Sequence, residues 1–448
     1  RGSPDGAVLL DATHLGADVV EQDFRGMVRR CRDVGYDLAR EPVPVSPTAH
    51  FMMGGVAIDT ECRSDLEGLF VAGEDGKVRA LHGDSGETCW EYATSSPIKY
   101  PPTIWSGRTY VGCGDGWVYA LEASTGRLLW RFRAAPSERH IVMYGSLTST
   151  WPVNSGVLVE DGIAYFAAGI IDHDGTHVYA LDAVTGQIIW QNNSSGHLHA
   201  ELRKGVSVQG NLTIRGDQLL LAGGNQVSPA AYDLATGHCL ADPIEDGYPK
   251  TNHGKFVGVF QDNIPIAGGR ILYSSPENVS TKGSFLAYGG DKPYRVNYGG
   301  VPPAWDEQTF AMVNYKHGRL TCCEADKVAE LIETTPGSEE KRRRSTVAGS
   351  LSSLQAIRWQ SDLDQANKFE AVSLAVCPTT IVAVLKYQSR HRAQPQWYVV
   401  AFDGENGESH FEKKLTSAPL PDGLLVDRDG QIIVCMLNGE VQCLGPEN

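Results

Sequence analysis

The chain has 448 residues, 42% of them hydrophobic, and a formal net charge of −15. This length and composition allow a large buried core. The chain has no apolar run of roughly 18 residues, so no membrane-spanning helix is expected. The excess of acidic side chains argues against nucleic acid or anionic lipid as a partner, because both require clustered Lys and Arg.

The ten cysteines are scattered along the chain. Their spacing is not that of a zinc finger or a haem attachment site. We therefore expect buried free thiols rather than a disulfide framework, and no bound metal.

The first 66 residues do not share the pattern of the rest of the chain. Residues 18–32 have the apolar spacing of a helix. Prolines at positions 42, 44 and 47 then favour an extended segment. The sequence thus predicts a short appendage of helix and extended chain over residues 1–66, followed by a separate domain over 67–448.

Three motifs in the first part of the chain resemble a known flavoprotein family. They are Asp11-Ala-Thr-His-Leu15, Pro47-Thr-Ala-His-Phe-Met-Met-Gly-Gly55 and Gly68-Leu-Phe-Val-Ala-Gly-Glu74. Together they resemble the succinate dehydrogenase, fumarate reductase and L-aspartate oxidase family over residues 7–74. The resemblance implies that His50 would contact a dicarboxylate substrate beside a flavin, and that Glu74 would bind the ribityl chain of FAD.

FAD binding is nevertheless not expected. Residues 1–66 contain no Gly-x-Gly-x-x-Gly motif, so they offer no glycine-rich helix start for the FAD pyrophosphate. The family's continuation after the glutamate is replaced by Asp75-Gly-Lys-Val-Arg-Ala-Leu81. We interpret residues 1–66 as a flavoprotein-like fragment joined to the second domain, with His50 and Glu74 as remnants of a cofactor site.

From residue 75 onward the chain contains a repeat. The clearest copy is Asp115-Gly-Trp-Val-Tyr-Ala-Leu-Glu-Ala-Ser-Thr-Gly-Arg-Leu-Leu-Trp130, and further copies lie at 75–90, 174–190 and, less complete, 230–238. Each of the three complete copies has an Asp-Gly turn, an alternating strand and a second turn at Ser-Gly or Thr-Gly. Short strands that repeat every 40 to 50 residues or so predict a β-propeller, in which each repeat forms one four-stranded blade.

Tryptophan ends three of these copies, at Trp90, Trp130 and Trp190. A large flat apolar side chain at the end of a sheet can be covered by a neighbouring blade. We therefore expect the three tryptophans at equivalent positions, buried between blades.

Strand and turn patterns continue to the C-terminus and predict eight blades, with seven as the alternative. The later strands are predicted at 270–275 and 283–288 for the fifth blade, at 310–314, 319–324 and 356–359 for the sixth, at 382–386 and 397–403 for the seventh, and at 424–427, 431–435 and 439–444 for the eighth. The sixth blade is interrupted by an insertion. The eighth ends after three strands, so a fourth would have to come from the N-terminal side.

The repeat resembles the pyrroloquinoline-quinone (PQQ)-type propeller family. That family includes quinone-dependent alcohol dehydrogenases and cofactor-free scaffold lipoproteins, so the resemblance implies an all-β propeller and favours a periplasmic or secreted location. The dehydrogenase alternative would require PQQ with calcium, for which Trp151, Asn225 and Asp306 are candidates. The same alternative would give the adjacent Cys322 and Cys323 a vicinal disulfide, although this pair lies in a divergent blade.

Three long connections are the candidate binding segments: residues 131–156, 191–210 and 242–268. Loops on one face of a propeller meet around its central channel, where a ligand can bind. The candidate binding residues in these loops are Arg139, His140, Tyr144, His197, His199, His253 and Lys255. His197, His199 and Glu201 would share one face of a strand and could hold a metal, but no fourth ligand is evident.

We therefore expect a non-catalytic scaffold or binding module for a protein or small-molecule ligand. The residues that recur are those that build the fold, and no nucleophile and base or complete metal site can be assembled from the loops. The alternatives are a quinone- and calcium-dependent oxidoreductase or a flavin-linked function of the N-terminal fragment.

Overall fold

The chain divides into two compact units, residues 1–50 and 51–448. The computed structural model describes residues 8–10, 13, 17, 28, 32, 37, 39–40, 43–45, 69–72, 75–82, 85–143, 146–199, 204–224, 227–241, 254–269, 284–288, 294–298, 301–314, 319–334, 356–362, 368–388, 395–427 and 430–445.

The first unit contains one short antiparallel strand pair. Strand β1 (Val8–Leu10) pairs with β2 (Val43–Val45), and Val8 lies opposite Val45. The helix predicted over 18–32 lies outside the described residues except for Val28 and Arg32. The predicted domain boundary after residue 66 also lies outside them, so it stays a prediction.

The second unit is built from antiparallel sheets whose strands follow one another in the chain. Its described residues form eight sheets of three or four strands. Sheet 1 contains β3 (Leu69–Ala72), β4 (Lys77–Leu81) and β5 (Thr88–Ala93), and sheet 2 contains β6 (Thr103–Trp105), β7 (Arg108–Gly112), β8 (Trp117–Glu122) and β9 (Leu128–Arg133). A separate hairpin of β10 (His140–Met143) and β11 (Ser146–Ser149) follows sheet 2.

The remaining sheets continue in chain order. Sheet 3 contains β12 (Leu158–Glu160), β13 (Ile163–Ala168), β14 (His177–Asp182) and β15 (Ile188–Asn192); sheet 4 contains β16 (Leu212–Arg215), β17 (Gln218–Leu221) and β18 (Ala230–Asp233); sheet 5 contains β19 (Phe256–Phe260), β20 (Ile264–Gly268), β21 (Ser284–Ala287) and β22 (Tyr294–Tyr298). Sheet 6 contains β23 (Ala304–Trp305), β24 (Thr309–Asn314), β25 (Arg319–Glu324) and β26 (Ile357–Asp362); sheet 7 contains β27 (Lys368–Val376), β28 (Thr380–Gln388), β29 (Gln396–Asp403) and β30 (Ser409–Lys414); sheet 8 contains β31 (Pro419–Val426), β32 (Ile432–Met436) and β33 (Val441–Leu444).

In sheets 2 and 3 the repeat forms the third and fourth strands. In sheet 2, the Asp115 carboxylate accepts the N–H of Trp117 at 2.9 Å and fixes the turn into β8. Gly126, at a φ of 72°, closes the next turn by donating its N–H to the carbonyl oxygen of Glu122 at 2.8 Å. Asp and Gly recur at these two places because the first accepts turn N–H groups and the second adopts a left-handed conformation without strain.

Apolar side chains from the faces of consecutive sheets form the core. Tyr110 of sheet 2 packs with Phe166 of sheet 3, and Val178 on the opposite face of sheet 3 packs with Leu221 and Tyr232 of sheet 4. Comparable layers join all other neighbours from sheet 1 to sheet 8. Each sheet is therefore stable only with its neighbours, as in a propeller.

Tryptophan side chains also join consecutive sheets. The indole N–H donates to a turn carbonyl of the next sheet in four cases: Trp90 to Ala123 (2.8 Å), Trp130 to Ala183 (3.1 Å), Trp190 to Leu234 (2.9 Å) and Trp359 to Gly404 (3.0 Å). The equivalent placement predicted for the first three is thus observed. Trp190 is buried as predicted, whereas Trp90 and Trp130 are only half-buried, because their surroundings cover less of these two rings.

The insertion in the sixth repeat contains a helix that the sequence did not predict. Helix α1 (Ala325–Thr334) directly follows β25 and buries Val328, Leu331 and Ile332 in the core between sheets 5 and 6. Short 3-10 turns also lie at Asp172–Asp174 and Ser195–His197. The fold is therefore mostly β rather than all-β.

The strands predicted for the last three units coincide with β24–β26, β28–β29 and β31–β33. In the fifth unit the prediction was wrong in part, because β19 and β20 occupy residues that were assigned to the binding segment 242–268. These strands lack the Asp-Gly and Thr-Gly turns that mark the repeat. The strand predicted at 270–275 lies outside the described residues, whereas 283–288 contains β21.

Candidate ligand-binding face

Parts of two candidate binding segments, residues 149–156 and 204–210, lie at one end of sheets 2–4. In antiparallel sheets the turn between the second and third strands lies at the same end as the chain that enters the first strand. In sheets 2, 3 and 4 this end consists of the turns 113–116, 169–176 and 222–229 (225 and 226 not described) and the entering segments 96–100, 149–156 and 204–211. We call these segments the loop face.

Side-chain amides and backbone groups tie the segments of the loop face together. Asn154 donates to the carbonyl oxygen of Gly169 at 2.9 Å, and Gln209 donates to that of Ile170 at 2.5 Å. Both amides therefore hold the same turn of sheet 3, one from sheet 3 itself and one from sheet 4. Both side chains belong to buried residues, so this end of the molecule is preorganised.

Asp172 is the centre of this turn, and sequence reasoning missed it. Its buried carboxylate accepts the N–H of His173 at 2.9 Å and the N–H of Gly205 at 3.0 Å. Its own N–H donates to the Ser207 hydroxyl at 3.1 Å. The sequence offered one signal for an unusual turn here. Four residues separate Asp174 from Tyr179 in the third copy of the repeat, whereas three separate Asp115 from Tyr119 in the second.

Three histidines meet beside this turn. His177 begins β14, is half-buried, and lies edge-on to the Trp151 ring with centroids 6.3 Å apart. The ring nitrogen Nε2 of His197 is 3.2 Å from the carbonyl oxygen of His173. Burial, together with the charge of His197, lowers the pKa of His177.

Replacing His177 is expected to reduce the loss of stability at low pH. Its pKa in the folded chain lies below the ordinary value of 6.5. As pH falls below 6.5, the unfolded chain therefore takes up a proton more readily than the folded chain, and the free energy of unfolding decreases. Between about pH 7 and pH 5, the melting temperature of His177→Asn should therefore fall less than that of the wild type. The matched control is His140→Asn, at an exposed position of β10. Equal pH slopes for wild type and His177→Asn would contradict this assignment.

The β10–β11 hairpin, which enters the loop face at Ser149, exposes two apolar side chains. Val142 and Leu147 lie directly opposite each other and are 78% and 58% exposed. Two backbone hydrogen bonds hold the base of the hairpin. The N–H of Ser149 donates to the carbonyl oxygen of Gly114 at 2.8 Å, and the N–H of Thr150 donates to the carbonyl oxygen of Arg139 at 2.8 Å. Two apolar side chains are thus presented to solvent on an anchored support.

The predicted binding residues fall into separate groups. Arg139 and His140 lie together at the base of the hairpin. His199 forms an isolated antiparallel β-bridge with Lys204. Lys255 directly precedes β19, and its carbonyl oxygen accepts the N–H of Asn211 at 3.4 Å. The structure therefore does not bring all of them to one site. Tyr144, His253, His50 and Glu74 lie outside the described residues.

The candidate metal and quinone residues do not form a site in the described part of the chain. There, no group of three or more His, Cys, Asp or Glu side chains could hold a metal ion. His197 lies in a 3-10 turn rather than a strand, so the expected common face with His199 does not exist. Glu201 and Asn225 are not described.

The other two quinone candidates are committed to local structure. One Asp306 carboxylate oxygen accepts the N–H groups of Gln308 (2.9 Å) and Thr309 (2.6 Å), so it fixes its own turn. The indole of Trp151 donates to the carbonyl oxygen of Asp174 at 2.7 Å. Cys322 and Cys323 are buried free thiols. These residues do not fit a PQQ and calcium site.

Consecutive antiparallel sheets that are joined by docked tryptophans define a β-propeller of PQQ-like repeats. The chain belongs to the family described as outer membrane protein assembly factor BamB, whose sequence model matches residues 55–281. A second family model, described as an FAD binding domain, matches residues 1–83. The resemblances inferred from both parts of the sequence are thus confirmed.

Solved structures agree with the propeller fold. A computationally designed protein, Ika8, is similar with a TM-score of 0.52 at 10% identity, over 89% of this chain and 98% of the designed one. Sqt1 of Saccharomyces cerevisiae is similar with a TM-score of 0.52 at 10% identity, over 90% of this chain and 98% of its own. At this identity the similarity concerns the fold alone.

The N-terminal part has a curated relative. Over 74 residues it is 47% identical to a CoM/CoB fumarate reductase chain of Methanothermobacter marburgensis. This match covers 16% of the present chain and 14% of the length of that relative. The chain thus contains a fragment similar to an FAD-binding domain.

In the part of the chain that the structure describes, no helix is long and apolar enough to cross a membrane.

Proposed function

We propose that this chain is an eight-bladed β-propeller that serves as a binding module and holds a protein partner beside its loop face. The observation that carries the proposal is the β10–β11 hairpin, which exposes Val142 and Leu147 on an anchored support. Exposed apolar side chains on a rigid element are typical of a protein interface. The eight sheets of three or four strands among the described residues support the blade number.

Charge near the hairpin favours an acidic partner segment. Arg139 at its base is exposed, and Arg133 at the end of β9 has 44% of its side chain exposed. Glu138 approaches Arg133 at 3.8 Å and offsets part of this charge. In a chain of net charge −15, such a local excess of arginine favours a segment that combines acidic and apolar side chains.

The loop face supports binding better than catalysis. His177 contacts a tryptophan ring and His197 contacts a carbonyl oxygen. Acid–base catalysis with a nucleophile would instead place a hydroxyl or thiol beside one of these imidazoles. The described histidines therefore act as structural and lining groups in this proposal.

We also propose that residues 1–66 bind no FAD. The described part of this fragment is mainly the short β1–β2 pair, and its sequence has no glycine-rich start of a helix for the pyrophosphate. An absorbance spectrum of the purified chain, combined with metal analysis, tests both cofactor alternatives. A flavin spectrum, or a quinone spectrum with one calcium ion per chain, would contradict the binding-module proposal and favour an oxidoreductase.

The double variant Val142→Ser/Leu147→Ser is expected to lose peptide binding. Fluorescent peptides that alternate Asp or Glu with Leu or Val would be titrated against the wild type and the variant. The affinity of the peptides that bind the wild type should fall by about 100-fold in the variant, because two apolar contacts of about 1.5 kcal/mol each are lost. The matched control is Thr88→Ser, at an exposed position of β5. Equal affinity for the wild type and the double variant would contradict the proposed surface.

A further inference from the structure

A second exposed apolar surface, besides Val142 and Leu147 of the hairpin, lies at the outer edge of sheet 3. Strand β15 is the last strand of this sheet and pairs only with β14 among the described strands. Ile188 and Ile189 are 51% and 50% exposed, and Val184 in the preceding turn is 47% exposed. Three exposed branched side chains thus lie within six residues, next to an open strand edge.

Strand β15 lacks the charges that the other outer strands carry. Among the four-stranded sheets that the structure describes, β9 contains Arg131 and Arg133, β22 contains Arg295, β26 contains Arg358 and Asp362, and β30 contains Glu412, Lys413 and Lys414. Charged side chains on an edge strand prevent pairing with another strand. Strand β15 has none, and no Asp, Glu, Lys or Arg occurs from residue 183 to 200.

We propose that β15 pairs antiparallel with β15 of a second copy of this chain, so that two copies of sheet 3 form one continuous sheet across a two-fold axis. In such a pairing each residue approaches the same segment of the partner. A charged residue near the two-fold axis would therefore lie close to its own copy, and like charges that lie close together destabilise a strand pair. Pairing of this kind therefore requires a strand without charged side chains, and β15 is such a strand in a chain of net charge −15. The partner strand would cover part of its two exposed isoleucines.

The surface is too small for a permanent dimer. Five residues of strand and three apolar side chains fall below the 1,200 Å² or so that a stable interface buries. Repulsion between two acidic molecules opposes association further and weakens with added salt. We therefore expect a reversible dimer whose fraction rises with protein concentration and with ionic strength.

Sedimentation equilibrium of charge variants tests this pairing. The wild type should dimerise at about 10 to 100 μM, the range that a weak interface gives. Ile189→Lys and Ile189→Glu alone should each raise the dissociation constant by at least about 10-fold, because like charges of the two copies then lie close together across the axis. An equimolar mixture of the two variants should recover dimer, since Lys then faces Glu. The matched control is Thr88→Lys, which adds the same charge on β5 at an exposed position and should leave the dimer intact.

Hydrogen exchange of the wild type provides a second measurement that needs no variant. Amides of residues 188–191 should gain protection as concentration rises through the dimerisation range. A wild type that stays monomeric at all concentrations overturns the proposal, as does a dimer that persists in both Ile189 variants. Protection of these amides that is equal at every concentration also overturns it and indicates a strand of the same chain at this edge.

Discussion

Replacing Trp190 by alanine is expected to lower the free energy of unfolding by about 3 to 5 kcal/mol. The indole is buried, packs in the core between sheets 3 and 4, and donates its N–H to the carbonyl oxygen of Leu234 at 2.9 Å. Removal of the ring leaves a cavity between two blades and a carbonyl oxygen without its donor. Urea denaturation followed by circular dichroism measures the change.

Trp190→Phe separates the two contributions. Phenylalanine keeps most of the apolar ring but has no N–H, so the loss should be smaller than in Trp190→Ala, with the missing hydrogen bond accounting for about 1 kcal/mol. A free energy of unfolding in Trp190→Ala within about 0.5 kcal/mol of the wild type, as for an exposed residue, would show that this tryptophan does not join the blades.

The repeat could be predicted because its residues act locally. Asp115 and Gly126 fix turns through groups no more than four residues away, so their positions can be recognised in sequence. The tryptophans could be predicted for a related reason, since a large ring at the end of an outer strand needs a neighbouring sheet. Their degree of burial could not, because it depends on how far the next blade covers each ring.

The parts that sequence did not predict depend on contacts between distant segments. Strands β19 and β20 lack the turn motif, and sheet 5 is instead joined to sheet 4 by Asn211, whose side chain exchanges two hydrogen bonds with the backbone of Val257 (2.6 and 2.9 Å). Asp172 gains its role only when residue 205 of the next sheet reaches it. No local pattern encodes such partners.

The proposed binding surface was predicted only in part. Arg139 and His140 were chosen from an ordinary loop composition, and the structure places them at the base of an anchored hairpin. The exposed pair of Val142 and Leu147 was missed, because apolar side chains of this kind are most often buried. Exposure of these two side chains follows from the hairpin having no third strand among the described residues.

Gly237→Ala is expected to destabilise the chain more than Gly86→Ala, although both glycines occupy the same turn of the repeat. Their φ angles are 72° and 69°, so an alanine in either place adds the same left-handed backbone cost of about 1 to 2 kcal/mol. At Gly237 a Cβ would also overlap the ring of Trp190, whereas at Gly86 it would meet nothing within 4 Å.

The difference between these two variants therefore measures how tightly a tryptophan docks on the next blade. Overpacking at Gly237 should add about 1 to 3 kcal/mol beyond the loss in Gly86→Ala, measured by urea denaturation of both variants. Combining Gly237→Ala with Trp190→Phe should cost less than the sum of the two single changes, because the smaller ring makes room for the methyl group. Equal losses in the two glycine variants, or strict additivity in the double variant, would mean that the ring can move away from the turn and that the blades are held together mainly by their apolar faces.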